Sequence, residues 1–397
     1  MTNRTVSPIF LAFCTLPILP VAWVVWRAYP GDPITAGHQL VVGDYLNLWI
    51  GGHLASDGRI DVIFDPIRFA EYVWSLFSRA LDQHGWAYPP HMLFFAEAFS
   101  KFPLVMGFFL WDLMTATFLW SVLRAGGLPA SYAFAIALSP AGLENALNGQ
   151  NGALIAAALA GGLLFSQRRP ILAGALLGLL TLKPQLGLLV PFFLLGRHSW
   201  KALGWGAAFG LTYCAAGAIG YGSGAWVSYF TVTGPYTKGY IDAPFGLAAH
   251  YMMIPPFITL RALGASLAVA YSGQAVVTVL SAVAAWWAGS LRLSEPGSLS
   301  AAALVLCLGP LATPYAHAYD LISCSVACGL LVWAGQRGDK FSRSERIMLA
   351  LAWIWPGCAF VVGIAMCPGL GMFFVGMGVW VIAQRVRRYS HLAPGSG

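Results

Sequence analysis

Apolar runs recur along this chain with so little between them that a water-soluble fold cannot accommodate them. They lie at 8–29, 103–123, 128–143, 150–166, 170–183, 185–196, 201–220, 270–291, 298–313, 320–335, 346–365 and 369–384. A helix needs about 20 apolar residues to cross a hydrocarbon core ~30 Å thick. Most of these runs approach that length, although 170–183 and 185–196 fall short of it. Charge makes the same point. With 22 Lys and Arg and 15 Asp and Glu in 397 residues, 9% of the chain is charged. An ordinary soluble domain carries ~25%. Mean hydropathy is +0.70. The expected fold class is therefore all-α, a polytopic transmembrane helical bundle of about 12 spans, forming a single domain over 1–397.

The first run, 8–29, is too long and too aromatic for a cleaved signal peptide and is read as the first span. A polar first outer loop follows, and the short runs 91–100 and 252–264 read as interfacial or re-entrant helices. The positive-inside rule tests this threading. With the N-terminus inside, the inner loops hold Arg4, Arg124, Arg168, Arg169, Arg197, Lys201, Arg292, Arg337, Lys340, Arg343, Arg346, Arg385, Arg387 and Arg388. These are 14 of the 22 basic residues, against only Glu295, Asp339 and Glu345 among the acids. Both termini are thus expected in the cytoplasm, with 385–397 as a tail, in a plasma (inner) membrane. The polar loops then face the periplasm or exterior. The formal charge of +7 is spread in short clusters, which act as topology signals and imply no nucleic-acid partner. The cysteines show no zinc spacing and no disulfide framework.

Polar residues at membrane depth mark function, and five clusters stand out, all at outer ends of spans. In the first, Asp44 precedes Tyr45, Asn47 and Trp49. A carboxylate among apolar neighbours suits a general base; the alternative is a helix N-cap before Tyr45 to Leu54. Tyr88-Pro89-Pro90-His91 opens a short helix. Glu144 to Asn151, including Gln150, holds four amides and an acid, more than a turn needs. Lys183-Pro184-Gln185 breaks an apolar stretch, so its ammonium must meet an anion or snorkel to water. The last, Thr313 to Asp320, offers Tyr315, His317, Tyr319 and Asp320; a lone His is otherwise most often structural.

A lysine for an anion, an aspartate for a base and aromatic faces for a pyranose suit transfer of a sugar from a lipid phosphate. The order of these clusters also resembles glycosyltransferase family 87. The resemblance is carried by Asp44 with its aromatic followers, Ile63-Phe64-Asp65-Pro66, Tyr88-Pro89-Pro90, Gly149-Gln150-Asn151, Lys183-Pro184-Gln185 and Pro314 to Asp320, over residues 40 to 325. Phe64 stands where a tyrosine is more usual. The resemblance implies a GT-C architecture, with interfacial helices of the first outer loop (30–100) roofing the cavity. It implies a polyprenyl-phosphate-mannose-type donor, a lipid or glycan acceptor, surrounding membrane lipids, no cofactor and no metal. Asp44 is then the catalytic base of an inverting transfer. His317 falls where a histidine near the donor phosphate is expected, and the residue types themselves add Lys183, Gln150 and Asn151 as further groups for that phosphate. Tyr45, Asn47, Trp49, Tyr88, Gln185, Tyr315, Tyr319 and Asp320 become candidates for sugar or acceptor contact.

The rival reading is a secondary transporter of a small polar or anionic solute, for which Pro-broken helices and an even span count are apt. Against it, the two halves show no convincing repeat, and the polar clusters sit on one side instead of at the midplane.

Overall fold

A computed structural model describes residues 42–77, 79, 81, 83–336, 341–359 and 370–391. The expected first span (8–29), the start of the first loop (30–41), the loop at 337–340, residues 360–365 of the 346–365 run and the end of the tail lie outside the described residues. The described chain is all-helical. Helices α1 (Tyr45–Ser56), α2 (Pro66–Leu76) and α3 (Leu93–Ser100) occupy the first loop. Then come α4 (Leu104–Ala125), α5 (Ala130–Ala137), α6 (Pro140–Leu147), α7 (Gly152–Phe165), α8 (Pro170–Gly178), α9 (Val190–Gly196) and α10 (Trp200–Tyr221). Further along are α11 (Gly234–Asp242), α12 (Pro256–Ala262), α13 (Leu267–Ser290), α14 (Glu295–Leu308), α15 (Ile322–Gly335), α16 (Arg343–Ile354) and α17 (Leu370–His391), with shorter helical turns between.

Among the described residues, five helical stretches are long and apolar enough to cross a membrane: α4, α10, α13, α17, and α15 with the turn before it from Ala318. Four shorter apolar stretches, 152–165, 170–182, 184–196 and 295–311, accompany them. Apolar content alone does not separate lipid-facing helices from central ones; burial does. The hydrophobic window of Ala318–Gly335 is 83% buried inside the protein, while those of α10 and α13 are 17% buried. Leu211 and Ile219 on α10, and Val276, Val279 and Val283 on α13, are left bare. In a soluble protein that surface would be an aggregation hazard; against lipid it is the natural outer face. α7, α14 and α15 form the centre, and nearly every residue of α7 is buried.

Small residues let these helices approach backbone to backbone. A Cβ placed on Gly174 would sit 2.3 Å from Trp205 Cβ, where α8 meets α10, and one on Gly289 would sit 2.2 Å from the Phe193 carbonyl oxygen, where α13 meets α9. In the first loop, Gly52 of α1 crosses α3 so closely that its Cβ would lie 2.1 Å from the Ala96 oxygen.

Prolines set the breaks. The run 128–143 is two helices and not one, because Pro140 begins a new helix behind Ser139, whose hydroxyl accepts the Gly142 N–H at 3.2 Å. The runs 170–183 and 185–196 are two short helices either side of Lys183. A proline disfavours helical backbone in the residue before it, and Lys183 accordingly takes φ −141°, ψ 71°. Asp65, by contrast, is a plain helix cap: its Oδ1 accepts the N–H of Ile67 (3.0 Å) and Arg68 (3.2 Å) at the start of α2.

α7 gives the molecule an axis. Asn151 lies at its first end and Gln167 just past its last, where the Gln167 amide donates to the Arg197 carbonyl at 3.1 Å. Fourteen residues of α-helix separate them by about 21 Å at 1.5 Å per residue. Asp44, Gln150, Lys183 and Asp320 gather at the Asn151 end, while Arg168, Arg169 and Arg197 belong to the other.

Candidate active site

Asp44 is not a helix cap. It sits at the N-cap position of α1 in helical conformation (φ −71°, ψ −8°), and its side chain makes no capping hydrogen bond. The carboxylate is turned elsewhere, with Oδ2 accepting from Gln150 Nε2 at 2.6 Å. Two interlocked turns bring these residues together across 106 positions of sequence. The Asp44 N–H donates to the Asn148 carbonyl at 2.9 Å. Gly43 (φ +52°) and Gly149 (φ +58°) both adopt left-handed backbone. Neither has room for a side chain: a Cβ on Gly149 would meet Tyr45 Cβ at 2.4 Å, and one on Gly43 would meet Asn148 Cα at 2.9 Å.

Gln150 is buried and is the hub. Its Oε1 accepts from Tyr88 Oη at 3.0 Å and from Lys183 Nζ at 3.4 Å. Its backbone is held as well: its N–H donates to the Asn145 carbonyl (3.0 Å), and its carbonyl accepts from Trp111 Nε1 (3.3 Å). Asn145 Oδ1 in turn accepts the Gly152 N–H at 2.6 Å, fixing the start of α7.

Lys183 does not snorkel. Its side chain is 9% exposed, and Nζ donates to Asp320 Oδ1 at 2.8 Å, the carboxylate being 3% exposed. The anion expected for this lysine is therefore within the chain. Nζ also lies 5.1 Å from the centre of the Tyr319 ring. Asp320 Oδ2 accepts the His317 N–H at 3.1 Å, which closes the turn leading into α15. The His317 ring stacks on Tyr319 (5.0 Å, 14°) and meets Tyr315 edge-on (4.9 Å). A short extended pairing, Ile254 N–H to Ala316 carbonyl at 3.2 Å, lays the segment before α12 along this turn.

Two groups in this region are buried without a hydrogen-bond partner among the described residues: both amide atoms of Asn151, and His317 Nδ1. A buried polar group left unmatched costs about 1–3 kcal/mol, so these are places where a polar ligand would be welcome. Burial pushes the His317 imidazole down to about 4, against the opposing pull of Asp320, so it is neutral at pH 7. Burial also holds the Tyr88 and Tyr315 phenols well above their usual range, leaving both as O–H donors.

Asp44, Tyr88, Gln150, Lys183, Tyr319, Asp320 and His317 thus form one connected cluster. Tyr315 joins it by ring contact. Tyr45, Asn47 and Trp49 do not. Tyr45 is wholly buried and donates to the Phe99 carbonyl at 3.3 Å. Asn47 Oδ1 pairs with His84 Nδ1 at 3.1 Å, and Trp49 Nε1 donates to the Phe102 carbonyl at 3.0 Å. Gln185 is half-buried on the turn after Pro184. Among the described residues, no group of three His, Cys, Asp or Glu side chains is disposed to hold a metal ion.

Sequence reading passed over two supporting residues, Trp111 and Thr181, because each looks like ordinary filling of an apolar run. Thr181 Oγ1 donates to the Gly178 carbonyl (2.7 Å), so the His91 nitrogen 3.0 Å away, Nε2, must be the donor to it. His91 therefore braces the helix break two residues before Lys183. Burial lowers its imidazole to about 4 from 6.5. A histidine kept neutral by folding stabilises fully above its unfolded value, and that stability is lost as pH falls from about 6.5 towards 4. The thermal midpoint in detergent should accordingly drop between pH 7 and pH 5, and His91→Gln should make that drop shallower.

The family model described as Glycosyltransferase family 87 matches residues 86–314, more than half of the chain. The chain belongs to glycosyltransferase family 87. It is a membrane glycosyltransferase, with a sugar donor and an acceptor as its substrates. Comparison with curated proteins and with solved structures gives no match. The matched stretch of this family 87 enzyme contains Tyr88, Gln150 and Lys183 and stops before His317 and Asp320; Asp44 lies ahead of it. Those three outer residues are joined to the matched stretch by the hydrogen bonds described above, not by the family model.

Proposed function

We propose that this family 87 enzyme transfers a hexose, with mannose as the sugar, from a polyprenyl phosphate to a lipid or glycan acceptor, with inversion. In this reading it is a GT-C protein of about twelve crossings in the plasma membrane. Both termini are cytoplasmic and the site opens to the outer face. The observation that carries the proposal is the Asp44 carboxylate, released from its helix cap and linked through Gln150 to a buried lysine.

The reaction is a single displacement. Asp44 Oδ1 takes the acceptor hydroxyl proton as that oxygen bonds to the anomeric carbon. The bond from that carbon to the phosphate oxygen breaks, and its electron pair leaves with the lipid phosphate. Lys183, His317 and Asn151 are assigned to the leaving phosphate, where fixed donors in a poorly hydrated site count most. Tyr88, Tyr315 and Tyr319 supply ring faces and hydroxyls for the sugar. A transporter is less consistent with a polar cluster confined to one end of α7, since such sites lie near the midplane.

The test uses purified enzyme in lipid nanodiscs, with radiolabelled polyprenyl-phosphate-mannose in one reaction and labelled nucleotide-mannose in another, each with a lipid extract of the host. Label should move to a new product from the lipid donor alone, with inverted anomeric configuration. Transfer from the nucleotide sugar would overturn the donor assignment, and retention would overturn the mechanism.

A further inference from the structure

We infer that Gln150 is a positioning residue that sets which oxygen of Asp44 receives the acceptor proton. The inference rests on the reading of Asp44 as the base and deepens it. A glutamine amide has an oxygen that only accepts and a nitrogen that only donates. Gln150 Oε1 is met by two groups that present hydrogens, the Tyr88 hydroxyl at 3.0 Å and the Lys183 ammonium at 3.4 Å. Flipping the amide would turn its NH2 against both donors and its carbonyl against a carboxylate. Its orientation is therefore fixed from one side, and its N–H must point at Asp44 Oδ2, 2.6 Å away.

Two consequences follow. Oδ2 is occupied, so Oδ1 is the oxygen presented to the acceptor. The direct contact with Asp44 is also neutral: it aims the carboxylate without placing a cation against it. The lysine acts one step removed, with its charge already engaged by Asp320 at 2.8 Å. The Asp44 charge is also felt by Tyr88 from the first loop and by Tyr315, His317 and Tyr319 from the turn into α15. Among the described residues, Gln150 is the one side chain hydrogen-bonded to Asp44.

Gln150→Glu is the diagnostic variant. Its carboxylate still accepts from Tyr88 and Lys183, so the fold's contacts are kept, but it places an acceptor and a like charge against Asp44 Oδ2. The acid limb of the kcat/KM profile should move to higher pH by about one unit or more. Activity lost on the acid side should be regained as pH rises. Gln150→Met, which leaves Asp44 unheld, should lower kcat ~10²-fold with donor KM little changed. If Gln150→Glu leaves the acid limb in place and either variant instead raises donor KM, Gln150 is a donor ligand and the inference is overturned. Asp44→Asn, assayed alongside, separates the two failures. An active Asp44→Asn enzyme removes the base assignment itself, whereas a dead one with an unshifted Gln150→Glu profile removes only the role of Gln150. Should Gln150→Met fail to fold, Gln150→Glu still decides the matter.

Discussion

Asp44→Asn enzyme is expected to transfer no measurable sugar while binding its donor and unfolding at nearly the wild-type temperature. The substitution is close to isosteric, and the asparagine carbonyl can still accept the Gln150 N–H that now reaches Oδ2 at 2.6 Å. Only the capacity to take a proton is gone. General-base assistance is worth ~10²–10⁴-fold, and no neighbour can supply it. Asp320 is the nearest rival by type, but its Oδ1 is committed to Lys183 and its Oδ2 to the His317 N–H. His317 is neutral, but its ring stacks on Tyr319 and meets Tyr315 edge-on, and its imidazole is assigned to the leaving phosphate. Single-turnover transfer from labelled donor, beside thermal unfolding and donor binding, checks the prediction. A near-wild-type rate would move the base elsewhere in the cluster, and loss of donor binding would recast Asp44 as a substrate ligand.

The kinds of residue that build this site were legible in the sequence, because a lysine, a carboxylate or a run of amides beside apolar spans is costly unless it does something. The pairings were not. Membrane burial dictates that Lys183 must find an anion, but nothing local says that the anion is Asp320, 137 residues away. By type alone Gln150 suggests a ligand for phosphate; its bonds to Tyr88, Lys183 and Asp44 depend on Gly43 and Gly149 letting two turns interlock. Tyr45 and Trp49 show the same limit from the other side. Aromatics beside a candidate base suggest a sugar platform, yet one is core and the other satisfies a carbonyl of the α3–α4 connection. The helix ends were read well where proline or a polar cluster marks them, as at Lys183-Pro184. They were read poorly at Ser139-Pro140, where small apolar residues on both sides hide the break. Apolar runs also gave no hint that α13 faces lipid while α14 is enclosed, since a bilayer and a protein core demand the same side chains.

Removing the Lys183 ammonium should be the most destabilising single change in the site. Lys183→Met approximates the length and bulk of the side chain and strips Asp320, 3% exposed, of its cation. An uncompensated buried charge of this kind costs roughly 3–5 kcal/mol, so thermal unfolding in nanodiscs should shift down by many degrees. The same argument predicts recovery. Lys183→Met combined with Asp320→Asn removes both charges, and the Asn oxygen can still accept the His317 N–H, so most of the lost stability should return. Activity should not return with it, because the leaving phosphate has lost its cation. That divergence between a rescued fold and an unrescued reaction separates two roles for one residue. If Lys183→Met alone unfolds like the wild type, Asp320 is not ionised against Lys183 in the resting enzyme, and the lysine is free for the donor phosphate from the outset. If the double variant regains activity as well as stability, the charge on Lys183 serves only Asp320, and the leaving group must be stabilised by His317 and Asn151 without it.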